Sequence, residues 1–200
     1  MKNPAPMLPF LESDEVNNSF VFDYVADMPS KNQIGEYRAV YEKIYACEST
    51  VNHSIRFNFQ FSKKSSSITE LKGNATYLIP FDDTLTLDTN LASWSLTGGW
   101  KPNSAVYITK SACTNTKKIL GNTWNSMVKA FDIASTGCPI PVGTYIAPGI
   151  NLKELEDHNF PKVYFYGKYK LQFKMKNQEK KVIGCTVVEL SLIRPWEKPI

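Results

Sequence analysis

Four cysteines, two histidines and a scatter of carboxylates are the residues of this 200-residue chain that could make or break bonds. Cys47, Cys113, Cys138 and Cys185 are even in number, widely spaced and free of any CxxC pair. Zinc wants ligands close in sequence, and His53 and His158 are poorly placed to complete such a set. Wide-spaced cysteines that pair as disulfides suit an oxidising compartment. No GxSxG, HExxH, P-loop or GxGxxG pattern occurs. The acidic spots "FDDT" and "DTNLAS" read as solvated turns. The expectation is a protein that is not an enzyme, with no catalytic residue, metal or cofactor.

The other chemistry on offer is apolar. "SIRFNFQF" sets Ile55, Phe57, Phe59 and Phe61 on one face of an extended segment, with Ser54, Arg56, Asn58 and Gln60 on the other. "KYKLQFKMK" does the same with Tyr169, Leu171, Phe173 and Met175 against Lys168, Lys170, Gln172, Lys174 and Lys176. Such rows either fill a core or line a cavity for a long apolar ligand. Tyr77, Leu85 and Leu87 join them as candidate lining residues. The lysine row is a candidate contact for anionic headgroups, or a solvated face.

The elements that hold these rows are strands. "EYRAVYEKIYACES", "ATYLIPF", "TLTLDTNLASWSL", "SAVYITK" and "PVGTYIAP" carry strand signals, separated by "FSKKSSS", "FDD" and "TGGWKPN". "KYKLQFKMK", "NQEK" and "KVIGCTVVELSLI" read as a hairpin. One segment is helical: Leu120, Trp124, Met127, Val128 and Phe131 share a face between Cys113 and Cys138. Thr114 or Thr116 is the expected cap, and Gly121 inside costs about 1 kcal/mol. That helix face is a candidate lid or simply a docked face. Trp94 and Trp100 flank a glycine pair and, with Leu120, Trp124, Met127 and Phe131, are candidate rim residues for a transient membrane contact. Pro139 and Pro141 deny helix continuation after Cys138. The expected organisation is an extended segment over residues 1–30 and a single domain over 31–200.

Composition narrows the setting. Apolar residues make up 42% and aromatics 12%, enough for a real core. The net charge of +4, with a pI near 8.7, falls short of a nucleic-acid footprint, so no nucleic-acid partner is expected. No 18-residue apolar window exists. Sequons at Asn17, Asn52 and Asn74 join the cysteines in pointing to a secreted or lumenal glycoprotein whose signal peptide precedes the mature chain.

Residues 137–193 carry a further pattern. Cys138-Pro139, Gly143-Thr144-Tyr145, Gly167-Lys168-Tyr169 and Gly184-Cys185 occur in order at spacings that resemble the C-terminal half of the ganglioside GM2 activator family. The pattern is also similar to the related insect proteins, including the chemosensory CheB group. In general plan the family is similar to the MD-2-related lipid-recognition proteins. The resemblance implies an all-β fold: two antiparallel sheets forming a β-cup or sandwich around an apolar cavity, plus one short helix between Cys113 and Cys138. It implies the pairings Cys47–Cys185 and Cys113–Cys138. It implies a secreted or endolysosomal lipid-binding or lipid-transfer protein, or else an accessory protein, chemosensory or immune, that presents an apolar ligand to a receptor or hydrolase. With at most two bridges against the four of the GM2 activator, the chain is closer to the insect branch.

Overall fold

The structure is a computed structural model in which residues 33–47, 52–65 and 68–198 are described. The strands in chain order are β1 (Ile34–Glu36), β2 (Arg38–Ala46), β3 (Ile55–Lys63), β4 (Thr69–Tyr77) and β5 (Thr86–Ser95). Then follow β6 (Gly99–Thr109), β7 (Gly143–Asn151), β8 (Val163–Phe165), β9 (Gly167–Lys176) and β10 (Val182–Ile193). Helices α1 (Ala112–Leu120) and α2 (Asn122–Ala130) lie between β6 and β7. A 3-10 turn at Leu152–Leu155 precedes β8.

Two main antiparallel sheets result, in the order β2-β10-β9-β5-β6 and β3-β4-β7, and β1 pairs with β8 apart from them. Neither main sheet closes on itself, so the plan is a β-sandwich. The alternating rows face inward as the period of two requires. Phe57 and Phe61 stand across from Ala75 and Leu71, while Phe173 and Leu171 stand across from Thr186 and Val188. The tightest approach is at Gly73, where φ is +126° and a Cβ would fall 1.9 Å from the Asn58 carbonyl oxygen. Only glycine fits that bulge between β3 and β7.

Both disulfides join the implied partners. Cys47–Cys185 links the end of β2 to β10, and Cys113–Cys138 links the first turn of α1 to the segment after α2. The Cys138–Pro139 peptide bond is cis, and Ile140 and Phe81 then exchange two backbone hydrogen bonds of 3.0 Å each.

Three expectations need correction. The single helix is two: Gly121 takes φ +56° and ψ −128°, outside the helical region, so the chain breaks where the sequence suggested only a cost. Thr114 and Thr116 lie inside α1 and do not precede it. Ser111 is the N-cap, with no side-chain cap bond, and the cap chemistry comes from afar: Asp83 accepts from the Thr114 N–H at 2.8 Å and the Thr114 hydroxyl at 2.6 Å. The "FDD" spot is therefore a helix-capping carboxylate, held against the positive end of the helix dipole. Finally, "TGGWKPN" is mostly strand. Trp100 pairs with Trp94 and Gly99 with Ser95, leaving Leu96–Gly98 as the turn.

The core is divided. A first cluster, at the helical end, joins Ile55, Leu85, Leu87, Trp124, Val128 and Met175. A second joins Leu71, Phe131, Ala147, Ile150 and Leu152. A third, at the other end of β9, joins Tyr169, Leu190 and Leu192.

Candidate ligand-binding site

Between these clusters the inner faces carry a run of half-buried side chains. Phe57, Phe59, Phe61 and Tyr77 share a face with the fully buried Ile55, yet each is only half-buried. On β9, Tyr169 and Met175 are buried at the ends of the inner row, while Leu171 and Phe173 between them are half-buried. Leu171 belongs to none of the three clusters. A domain of this size ordinarily forms one contiguous core. Here the buried residues fall into three clusters, bridged by the half-buried Tyr145 and Ile133 between the first two and by Tyr41 between the second and third.

The aromatic rings form a connected wall. Phe57 lies 6.0 Å from Phe59 and 6.2 Å from Tyr77, and Tyr77 continues to Tyr145 at 5.9 Å and Phe81 at 6.2 Å. Phe59 meets Phe131 at 5.8 Å, and Phe61 meets Tyr41 at 5.7 Å. The Tyr77 and Tyr41 phenols in this wall stay neutral. Burial, then the neighbouring Tyr145, pushes Tyr77 well above the ordinary tyrosine range. Burial, then Glu156 and Tyr37, pushes Tyr41 up to about 12. Burial, then Tyr164, likewise raises Tyr169, whose hydroxyl donates to the Phe165 carbonyl at 2.9 Å.

One polar atom on this inner surface lacks a partner. Thr89 lies on β5 across from Phe173 and Tyr107. Its Oγ1 is enclosed with no hydrogen-bond partner among the described residues. An unpaired enclosed hydroxyl is costly, and a polar group brought in by a ligand would satisfy it.

Of the residues named from sequence, Ile55, Leu85, Leu87 and Met175 meet in the first cluster and form the floor at the helical end. Tyr169 lies in the third cluster. The helical residues are docked: Trp124 is 5% exposed and its Nε1 donates to the Thr136 carbonyl at 2.8 Å. Phe131 is buried and Met127 packs in the second cluster, and Leu120 packs on the first. Trp94 and Trp100 are apart from all of these, 5.2 Å from each other at the end of the β5–β6 hairpin. Leu96 in that turn is 98% exposed. Of the sequon residues, Asn52 is exposed in the turn before β3, Asn74 is on the polar face of β4, and Asn17 lies outside the described residues.

Sequence reasoning missed Tyr41, Ile44, Val188 and Tyr145, which pack along the same surface. The reason for β2 is a bulge. Lys43 stands across from Glu189 and Tyr41 from Leu190, so Glu42 is an extra residue and the inward parity flips along the strand. Apolar spacing at Ala39, Tyr41 and Ile44 was the available signal.

His158 and His53 both lie outside the apolar interior. His158 Nδ1 accepts from the Phe160 N–H at 3.3 Å, and its ring meets that of Phe160 at 4.8 Å. His53 stands beside the Cys47–Cys185 bridge on the outer face. Among the described residues no cluster of His, Cys, Asp or Glu could hold a metal, and no helix is long and apolar enough to cross a membrane.

The fold and this surface define a class: a two-sheet, disulfide-stapled β-sandwich with a half-buried aromatic row along its inner wall. Its two disulfides belong to an oxidising, extracellular or lumenal compartment. No protein-family model matches the chain, and no curated protein sequence matches it.

Proposed function

We propose that this protein is a secreted or lumenal, non-enzymatic lipid-binding protein that holds an acyl chain between its two sheets. The observation that carries the reading is the half-buried inner row Phe57, Phe59, Leu171 and Phe173, of which Leu171 joins none of the three apolar clusters. Each methylene moved from water onto that surface contributes about 0.8 kcal/mol, so a long acyl chain binds well without any charged contact. The Thr89 hydroxyl supplies one polar contact for an ester or hydroxyl of the ligand. Exposed Leu96 and Trp94 supply an apolar tip with which the hairpin enters a membrane interface and collects its cargo.

The test is lipid extraction followed by mass spectrometry on protein purified from a eukaryotic secretory host, with native mass spectrometry of the intact complex. A stoichiometric co-purifying lipid is the expected result. If none is found and an apolar fluorophore meets no saturable site, the reading fails. Transfer between vesicles by the pure protein marks a carrier. Binding without transfer favours a protein that presents its ligand to a partner.

A further inference from the structure

The outer face of the five-stranded sheet carries a second feature that a lipid-holding interior does not use. Two concavities open there, of about 310 and 460 Å3, and they share Lys170 and Gln172. Each is within the size range of small-ligand sites, roughly 300–1,000 Å3. Register explains why they are continuous. Asn90, Gln172, Val187 and Tyr45 stand across from one another on β5, β9, β10 and β2, in one row perpendicular to the strands. With Val106 of β6 across from Asn90, the row crosses all five strands. Four inter-strand steps of about 4.8 Å give a length of about 19 Å.

We propose that this groove binds a sugar chain bearing a carboxylate, with its acidic group at the Lys174 end. The lining has the chemistry that hydroxyl-rich rings require. Asn90 exchanges hydrogen bonds with Asn103 and Gln172 Nε2 donates to Cys47 Sγ at 3.4 Å, so each amide keeps one N–H and spare carbonyl lone pairs for a ligand. Trp100 and Pro102 wall one end with apolar surface. Lys170 Nζ is fixed as the floor, 4.4 Å over the Trp100 ring and 3.3 Å from Glu189.

Charge chooses the ligand class. Lys168 is paired with Glu42, Lys170 with Glu189 and Lys176 with Asp88, so most of this lysine row is neutralised. A face compensated in this way is a poor electrostatic platform for a membrane. Lys174 makes no ion pair among the described residues, because Asp88 across from it is held by Lys176, and it lines the groove at the end where His53 stands with an enclosed, unpartnered Nδ1. One uncompensated ammonium beside one unsatisfied imidazole nitrogen fits a single anionic substituent that also carries hydroxyls. A peptide has no comparable foothold. The three middle strands are hydrogen-bonded on both sides, so no strand can be added there.

The experiment titrates the full chain with hyaluronan tetrasaccharide, with the neutral chitotetraose and with phosphatidylserine vesicles. Saturable binding of the acidic sugar, about tenfold tighter than the neutral one, is expected from one charge-assisted contact. Lys174→Ala removes that preference, and Gln172→Glu weakens both sugars. Leu171→Ala, on the inner face, leaves sugar binding unchanged, so failure here and failure of the lipid reading are separate results. No saturable binding of either sugar overturns the proposal, as does binding indifferent to both outer-face variants. Binding to the vesicles alone overturns it in favour of a membrane-facing sheet.

Discussion

The helical end of the sandwich and the middle of its inner wall are made of the same residue types but are packed differently. At the helical end, Trp124 and Val128 are pressed onto Ile55, Leu87 and Met175, with Cys113 fully buried beside them. In the middle, Leu171, Phe57 and Phe59 are half-covered. Hydrophobicity alone does not make a core. The helices supply a full second layer at one end, while in the middle the facing side chains, such as Phe131 against Phe59, cover the rows only in part. Stability is therefore expected to reside at the closed end and ligand affinity in the middle.

Trp124→Ala tests the first half of that contrast most severely. It removes a buried ring and orphans the Thr136 carbonyl, and should cost about 3–5 kcal/mol in denaturant unfolding. A loss under 1 kcal/mol would erase the distinction between the two regions. Replacing Cys113 and Cys138 by serine frees a 25-residue loop and should cost about 3 kcal/mol on the chain-entropy argument. The same measurement under reductant, which opens Cys47–Cys185 as well, should show a larger loss in the parent protein.

Leu171→Ala probes the other half. In a half-covered site the stability cost should be about 1 kcal/mol or less, well under that of a filled core position. Uptake of an apolar fluorophore should nevertheless fall several-fold. If Leu171→Ala destabilises as much as Trp124→Ala, the middle of the wall is a packed core.

The outer face sharpens the comparison through acid. Glu189 is buried, which by itself raises its carboxyl. Hydrogen bonds from Tyr45 and Lys170, with the charges of Lys170 and Lys43, more than offset that and hold it below its ordinary value of 4.5. A carboxyl lowered in the folded state contributes stability above its unfolded value, and that stability is lost as pH falls through the folded value. Melting temperature should therefore decline below about pH 4.5, and Glu189→Gln should make the decline shallower. Least affected should be Lys176→Ala, which removes a partly exposed pair with Asp88 worth less than about 1 kcal/mol.

Much of the fold was legible because strand alternation is a local signal. The β3 and β9 rows predicted their faces correctly, since each side chain's direction follows from the pleat. The division of the helix was not legible: Gly121 could continue a helix, and the break is seen only in the φ and ψ it adopts beside the Asn159 side chain. Tyr41 was hidden for a similar reason. The bulge that turns it inward is a property of β10 pairing with β2, which no window of either strand contains.

By itself the sequence determined a mostly β chain with two apolar rows, one amphipathic helical segment and four cysteines suited to an oxidising compartment. Alternation, helical spacing and residue chemistry act over a few residues, so they can be read in order. Tertiary structure decided how completely each row is covered, because burial depends on what packs opposite. It also decided that most of the lysine row is neutralised, through Glu42, Asp88 and Glu189 from three other strands, and that Asp83 caps a helix 31 residues away. Those contacts are made between segments distant in sequence, and only the folded sheets bring them within reach.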